Sequence, residues 1–297
     1  MNIADSIKPG YWALRSCYRL MTNRIRLLPD YIIIGTQRGG TTSLYFYLTE
    51  YAGTFSALHK EVHFFDDHFA QGPAWYRAQF PTSVQKYLYE RVCKKRFVTG
   101  ESSPYYLFHP HIPKRTFQAL PNVKLIVLLR NPVDRAYSHH WLATNEGHET
   151  LLFEEAVKCE VERLAGEQEK ILANEYYESY THRHYAYLSR GIYANQLQNW
   201  MRYFPKEQFL ILKSEDLYSD PVTIVKQTLE FLEVPTSALR ITKEFKQYRE
   251  PTSKGYMNNE RPPKMDPALR KYLIEYFQSH NARLYEFLKR DFGWDRE

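Results

Sequence analysis

The sequence of 297 residues contains only three cysteines, Cys17, Cys93 and Cys159, and no two of them are close together in the chain. Three isolated thiols make no CxxC pair and no disulfide framework, which is typical of a protein from a reducing compartment. We therefore expect a cytoplasmic location.

Long apolar runs are also missing near the amino terminus, where Arg15, Arg19, Arg24 and Arg26 interrupt every apolar stretch. A signal peptide or a transmembrane helix needs an uninterrupted apolar segment. Residues 11–22 instead favour a short amphipathic helix that rests on the domain, or one that touches a membrane peripherally. We expect no stable membrane insertion and predict a helical amino-terminal extension over residues 1–28.

Long lysine and arginine blocks are absent as well, although the formal net charge is +6. Such a charge favours anionic partners in general, from nucleotides to sulfated glycans and acidic membranes. Without a basic tail, we expect no nucleic-acid partner. Aromatic residues reach 16%, including 25 tyrosines, which suits either a broad half-polar binding surface or a tyrosine-rich core.

Short apolar runs that alternate with amphipathic segments organise the rest of the chain. Buried strands are predicted at 31–34, 124–129 and 208–213. Helices are predicted from about Thr41, after Asn131-Pro132, over 191–204, from Pro221 to Leu232, and over 267–289. This alternation predicts an α/β fold, a single P-loop-like domain at 29–297 with a central parallel sheet flanked by helices. The polar segment 164–188 is predicted to be a lid over a site.

The segment Gly35–Thr42 has the G-x-x-x-x-G spacing of a phosphate-binding loop, between a predicted strand and a predicted helix. Glycines let successive backbone N–H groups converge on an anion at the helix amino terminus. A nucleoside triphosphatase would have lysine where Thr41 stands, and a carboxylate near a strand end to help hold Mg²⁺. The second apolar strand ends in Arg130 instead, which favours a ligand with separate phosphates and no metal.

Four motifs in this order resemble the sulfotransferases that use 3′-phosphoadenosine 5′-phosphosulfate (PAPS), especially the branch of the heparan sulfate sulfotransferases. They are the glycine loop, Lys60–Asp66 (KEVHFFD), Leu129–Ser138 (LRNPVDRAYS) and Thr252–Tyr256 (TSKGY). The resemblance runs from about Pro29 to Trp294. It implies the sulfotransferase fold and PAPS as the donor, which leaves as adenosine 3′,5′-bisphosphate.

The resemblance also implies which residues bind the donor. The glycine loop would hold the 5′-phosphosulfate, Arg130 and Ser138 the 3′-phosphate, and a late polar loop would close over the nucleotide. Tyr193 matches an aromatic position of the donor pocket, although core packing is the alternative for this side chain. The full donor-binding set is Gln37, Arg38, Gly39, Gly40, Thr41, Thr42, Ser43, Arg130, Ser138, Tyr193, Ser253, Lys254 and Gly255.

Catalysis in such an enzyme requires a base that takes the proton of the acceptor. The resemblance assigns this role to Glu61, with Lys60 and Arg38 at the leaving side of the sulfuryl group. His63 is the competing base, and a structural hydrogen-bonding role is its alternative. His59 and His63 have the i, i+4 spacing of a metal pair on a helix, but the sequence offers no third ligand nearby, so we expect no metal.

Two positions depart from the family pattern, since Arg38 and Ser102 stand where the family usually has lysine. The change at Ser102 favours a small natural product over a heparan-like acceptor, and both a small molecule and a carbohydrate remain open, sulfated on a hydroxyl or an amine. The rival readings are a P-loop kinase or nucleoside triphosphatase, and a noncatalytic glycan-binding module on the same fold.

Overall fold

A five-stranded parallel sheet forms the centre of the protein, in a computed structural model that describes residues 14–51, 53–236 and 263–295. Its strand order is β2-β3-β1-β4-β5. The strands are β1 (Tyr31–Gly35), β2 (Phe55–Ser56), β3 (Thr99–Ser102), β4 (Lys124–Leu129) and β5 (Phe209–Lys213). The predicted α/β class with a parallel sheet is confirmed.

Helices cover both faces of the sheet. They are α1 (residues 14–21), α2 (Thr41–Phe46), α3 (Gly72–Ala78), α4 (Ser83–Cys93), α5 (Ile112–Ala119), α6 (Pro132–Glu146), α7 (Phe153–Leu164), α8 (Glu167–Ala173), α9 (Tyr180–His184), α10 (Tyr193–Met201), α11 (Ser214–Ser219), α12 (Pro221–Phe231) and α13 (Pro267–Leu288). No helix in these ranges is long and apolar enough to cross a membrane.

The three predicted strands and the predicted helices are present, with small differences at their ends. The segment 191–204 is helical only over α10, because a short turn precedes Tyr193 and the helix ends at Met201. Asn131 caps α6 as predicted, since the Val133 N–H donates to Asn131 Oδ1 at 3.0 Å. The strands β2 and β3 were not predicted, because they are short and lack an apolar run.

The alternation of side chains along the strands divides the core into two layers. In β1, Ile32 and Ile34 face the layer that contains Trp200 of α10. Tyr31 and Ile33 face the opposite layer, which is closed by α2 and α12. Because both faces of the strand are covered, all five residues of β1 are buried.

The central position of β1 brings several chain segments together at one edge of the sheet. β1 pairs with β3 on one side, where Ile33 lies opposite Ser102, and with β4 on the other, where Ile33 lies opposite Ile126. The carboxyl ends of parallel strands share one edge, and open α/β sheets bind ligands there. The glycine loop and Arg130 therefore meet at the same edge as the end of β3.

The segment predicted as a lid, residues 164–188, forms α8, α9 and the connections around them. Its end is fixed by Glu160 of α7, which accepts hydrogen bonds from the N–H groups of Leu188 at 2.6 Å and Ser189 at 2.8 Å. Tyr187 is fully buried and donates to Glu149 at 3.0 Å. The segment packs as a cover on the domain, and its opening as a lid stays a prediction.

We predict that Gly100→Ala destabilises the fold, because a Cβ at Gly100 would lie 2.5 Å from the Tyr31 ring. Such overpacking costs about 1–3 kcal/mol in the free energy of unfolding, measured by urea denaturation. The matched control is Ser102→Ala, two residues further along β3, which removes a buried hydroxyl that has no partner within the described ranges. The control should leave stability unchanged or slightly higher. Equal stability of Gly100→Ala and the wild type would contradict the prediction.

Candidate active site

The glycine loop is held against the sheet by backbone hydrogen bonds. The Thr36 N–H donates to the Leu128 carbonyl at 2.8 Å, and the Gly39 N–H donates to the Thr36 carbonyl at 2.9 Å. A Cβ at Gly39 would lie 2.8 Å from the Leu128 carbonyl oxygen. Gly40 has a φ of +89° and begins α2, so only glycine fits this turn without strain. The loop therefore delivers the first turn of α2 to the strand ends.

Arg38 and Arg130 connect this loop to the end of β4. Arg38 Nε donates to the Ser138 hydroxyl at 3.0 Å, and Arg130 Nη1 donates to the Arg38 carbonyl at 3.0 Å. Tyr193 is buried in the core and donates its hydroxyl to the Arg130 carbonyl at 2.8 Å. The structure thus brings Arg38, Arg130 and Ser138 together, and the hydrogen bond from Tyr193 fixes the backbone at Arg130.

Two buried arginines that the sequence analysis did not select extend this cationic region. Arg190 hydrogen-bonds Gln37 of the loop, and it also donates to the His182 and Arg183 carbonyls at 3.0 and 2.8 Å. Arg135 is fully buried, and its Nε and Nη1 have no hydrogen-bond partner in the part of the chain described here. Burial and neighbouring arginines lower the pKa of Arg190 to about 9, and burial lowers that of Arg135 to about 10. Both shifts come mainly from burial, and neighbouring arginines add to them.

Lys60 and Glu61 lie at the other side of the loop. Lys60 Nζ donates to the Thr42 hydroxyl at 2.7 Å and lies 2.9 Å from Glu61 Oε1. Arg38 points instead towards Ser138, so its predicted contact at the leaving oxygen stays a prediction. Lys60 is thus the cation that joins the start of α2 to the Glu61 carboxylate.

A chain of alternating charges continues from Glu61. Its Oε2 lies 3.0 Å from His63 Nε2, and His63 Nδ1 lies 2.7 Å from Asp66 Oδ2. Burial opposes a charge on His63, but its hydrogen bonds to Asp66 and Glu61 outweigh burial and raise its pKa to about 10. Burial would raise the pKa of Glu61, and contacts with His63 and Lys60 lower it instead. At neutral pH an imidazolium is therefore expected between two ionised carboxylates, since the pKa values of Glu61 and Asp66 are both lowered.

Strand β3 holds this segment in place. The Ser102 N–H donates to the Lys60 carbonyl at 3.1 Å, and the His63 N–H donates to Ser103 Oγ at 3.2 Å. Ser103 Oγ in turn donates to Glu101, which also accepts from Tyr76, both at 2.7 Å. Burial raises the pKa of Glu101 to about 7. The sequence analysis missed Glu101 and Ser103, although both are direct neighbours of Ser102, which it compared with the family.

A metal at His63 receives no support from helical spacing, because residues 57–63 are not helical and His59 does not join His63 on a helix face. His63, Asp66 and Asp67 place one ligand atom each within 4.8 Å of one another. Arg183 already contacts this group, with its Nη2 3.4 Å from Asp66 Oδ2 and further contacts to Asp67. Its guanidinium supplies positive charge where a cation would bind.

A cavity of about 170 Å³ opens beside the Glu61 carboxylate. It runs from the loop residue Gln37 to Arg183 and His184 on the cover segment and to Arg190 just after that segment. Its wall combines charged and polar groups with a few apolar side chains: Gln37, Glu61, His63, Pro104, Tyr105, His139, Leu142, Ala143, Glu146, Arg183, His184 and Arg190. The cavity could hold a polar molecule next to Glu61.

The remaining predicted residues divide into two groups. Thr41 and Ser43 are buried in the first turn of α2, directly after the loop. Ser253, Lys254 and Gly255 lie outside the described residues. The assignment of individual residues to donor binding and to catalysis stays a prediction.

The family model described as the sulfotransferase domain matches residues 28–285. The chain belongs to the sulfotransferase family. A human relative, heparan sulfate glucosamine 3-O-sulfotransferase 6, is 28% identical, in a match that covers 91% of this chain and 74% of the relative. Membrane-associated sulfotransferase kil1 of Dictyostelium discoideum is 26% identical over 91% of this chain and 67% of its own length.

A solved structure supports the same fold. A sulfotransferase from Alicyclobacillus acidocaldarius matches with a TM-score of 0.63 and 28% sequence identity, over 91% of this chain and 100% of the other. The predicted family and fold of this sulfotransferase are therefore confirmed.

We predict that the stability contributed by His63 in this sulfotransferase declines at alkaline pH. Because its pKa rises from about 6.5 to about 10 on folding, its stabilisation is complete below about pH 6.5 and is lost as pH approaches 10. The difference in free energy of unfolding between wild type and His63→Gln should shrink over this range, measured by urea denaturation.

The matched control is His109→Gln, because burial lowers the pKa of His109 to about 3 and keeps it neutral over the same range. Its stability difference from the wild type should not change with pH between 6.5 and 10. A constant difference for His63→Gln would show that His63 is not held as an imidazolium.

Proposed function

We propose that this sulfotransferase moves the sulfuryl group of PAPS to a hydroxyl group of a carbohydrate acceptor, with Glu61 as the general base. One observation carries the proposal. The pair Lys60–Glu61 meets Thr42 at the start of α2, directly after the glycine loop, with Lys60 Nζ 2.7 Å from Thr42 Oγ1. A proton acceptor and a cation thus lie together at an anion-binding helix terminus.

The described residues fit the donor. Gly39 lets the loop pack directly against the end of β4, since a Cβ there would lie 2.8 Å from the Leu128 carbonyl oxygen. Arg38, Arg130 and Ser138 form a second anion site, and Arg135 has two buried nitrogens with no partner within the described ranges. In this proposal the loop residues from Gln37 to Ser43 hold the 5′-phosphosulfate. Arg130 and Ser138 hold the 3′-phosphate, and Arg38, which contacts both of them, connects the two sites.

Glu61 accepts the proton of the acceptor hydroxyl while the hydroxyl oxygen attacks the sulfur atom in line with the leaving group. When bound, the donor supplies an activated sulfuryl group and leaves as adenosine 3′,5′-bisphosphate. Lys60 places positive charge at Thr42, where negative charge grows on the departing side. His63 orients the Glu61 carboxylate through Nε2, and Asp66 keeps His63 protonated, so His63 acts as a positioning residue rather than as the base.

The chemical class of the acceptor is inferred from the residues in the wall of the cavity beside Glu61. Arg183 and Arg190 in this wall bind hydroxyl and acidic groups better than an apolar metabolite. Ser102 removes the lysine expected in the glycan branch, while Arg183 and Arg190 supply two other cations near Glu61. Carbohydrates are also the substrates in the names of the heparan sulfate relatives. A carbohydrate acceptor is therefore favoured over a small natural product.

We predict that Glu61→Gln lowers kcat by about 10²–10⁴-fold, because the amide cannot take the acceptor proton. The measurement is transfer of labelled sulfate from PAPS to pooled glycans, with affinity for adenosine 3′,5′-bisphosphate followed by calorimetry. That affinity should stay within about threefold of the wild type, since Glu61 acts on the acceptor side.

Glu146→Gln, in the wall of the same cavity, is the matched control and should keep most of the turnover number. Near-normal kcat in Glu61→Gln would remove Glu61 as the base. If the wild type bound glycans but transferred no sulfate from PAPS, the protein would be a binding module and the proposal would fail.

A further inference from the structure

Helix α4 turns its apolar side chains towards solvent. Val84, Tyr87, Leu88 and Val92 are between 53% and 76% exposed, and their spacing places them on one face. None of the residues of α4 is buried. A helix on a globular domain ordinarily has the opposite arrangement, with its apolar stripe against the core. The exposed stripe therefore needs an explanation beyond folding.

Helix α1 repeats this arrangement. Leu14, Tyr18 and Met21 recur at i, i+4 and i+7 and are each more than 60% exposed. Its arginine Arg19 turns towards the domain instead, where Nη2 donates to the Phe80 carbonyl at 3.0 Å. Helix α4 contacts the domain through Tyr89, whose ring centroid lies 4.9 Å from that of Phe55, so each helix leaves its other apolar side chains outside.

The two helices are neighbours. The segment after α1 is joined to the start of α4 through the bridge between Arg26 and Thr82, and Thr82 is the N-cap of α4. The Leu27 N–H also donates to the Pro81 carbonyl at 2.9 Å. Arg19 of α1 binds the carbonyl of Phe80, which lies just before α4. The contacts therefore reach α1 itself. The apolar faces therefore belong to one region of the surface, which we call the α1–α4 surface.

Positive charge is concentrated in this region. Residues 14–26 and 83–96 contain nine of the 40 basic residues of the chain and only one of its 34 acidic residues, Glu90. The rest of the chain holds 31 basic and 33 acidic residues, so the positive net charge comes from these two segments. Arg24, Arg91, Lys94 and Lys95 are exposed. The surface thus combines apolar side chains with cations.

We propose that the α1–α4 surface docks on an anionic lipid membrane. Apolar side chains of such a surface enter the boundary between headgroups and acyl chains, while lysine and arginine contact the lipid phosphates. A second copy of this chain would bring the same positive charge to the interface, and this repulsion disfavours self-association. A soluble polyanion such as a glycan or a nucleic acid would use the cations but not the exposed Val84, Leu88 and Val92.

The order of the chain makes docking compatible with catalysis. α1 precedes β1 and α4 precedes β3, so both helices lead into the amino-terminal ends of their strands. The candidate active site lies at the opposite, carboxyl ends, around Glu61 and Arg130. A membrane on the α1–α4 surface would hold the enzyme at a lipid surface and leave the site open to its substrates.

The test is flotation of the full chain with vesicles of phosphatidylcholine alone and of phosphatidylcholine with 30% phosphatidylserine. We expect binding to the anionic vesicles that falls at least about tenfold in the triple variant Val84→Ser, Leu88→Ser, Val92→Ser. The matched control changes three equally exposed apolar residues elsewhere, Leu152→Ser, Val161→Ser and Leu172→Ser, and should bind as the wild type does. Thermal unfolding of each variant verifies that it is folded.

The charge is tested separately with Lys94→Gln and Lys95→Gln, each of which should weaken binding by about fivefold. Lys206→Gln and Lys226→Gln are the matched controls and should have no effect. Absence of binding to anionic vesicles would overturn the proposal. So would heparin binding that depends on Lys94 and Lys95 but not on the serine changes, or a dimer that the serine changes abolish.

Discussion

The hydrogen-bonded chain from Glu61 through His63 to Asp66 is the interaction on which the arrangement of the site depends. His63 can be an imidazolium in a half-buried place because a carboxylate lies at each ring nitrogen, at 3.0 and 2.7 Å. That charge in turn keeps the Glu61 pKa low and fixes its orientation. Strand β3 secures the backbone on both sides of Glu61 through the Lys60 carbonyl and the His63 N–H. The proposed base is therefore held by the sheet rather than by a free loop.

The proposed anion-binding half of the site depends on a different constraint, which is the absence of a side chain at Gly39 and at Gly40. Because Gly39 packs against the Leu128 carbonyl and Gly40 turns the chain into α2, the loop lies close enough for Arg38 to reach Ser138. Lys60 connects the two halves, since it contacts both Thr42 and Glu61. Arg130 and Arg190 add positive charge in direct contact with the loop.

Residues that are neighbours in the chain could be predicted from the sequence, and residues joined only by the fold could not. The strand at 124–129 and the capped helix after Asn131 have local patterns, and so does the glycine loop. The contact of Arg190 with Gln37 joins residues that are far apart in the sequence, and no local pattern in either segment indicates it. Glu101 could not be recognised from the sequence, because β3 is polar and has no apolar run that predicts a strand. Its burial depends on its place in the sheet between β1 and β2. Tyr193 proved to belong to the core while also supporting Arg130.

Calorimetric titration with adenosine 3′,5′-bisphosphate tests the central claim most directly, because that claim is an anion site at the glycine loop coupled to a second one at Arg130 and Ser138. The account predicts binding that does not need Mg²⁺ and that weakens by about tenfold or more in Arg130→Gln, as expected for the loss of a charged hydrogen bond. Tight binding of ATP that requires Mg²⁺, with no affinity for the bisphosphate, would contradict it and would indicate a P-loop kinase or nucleoside triphosphatase.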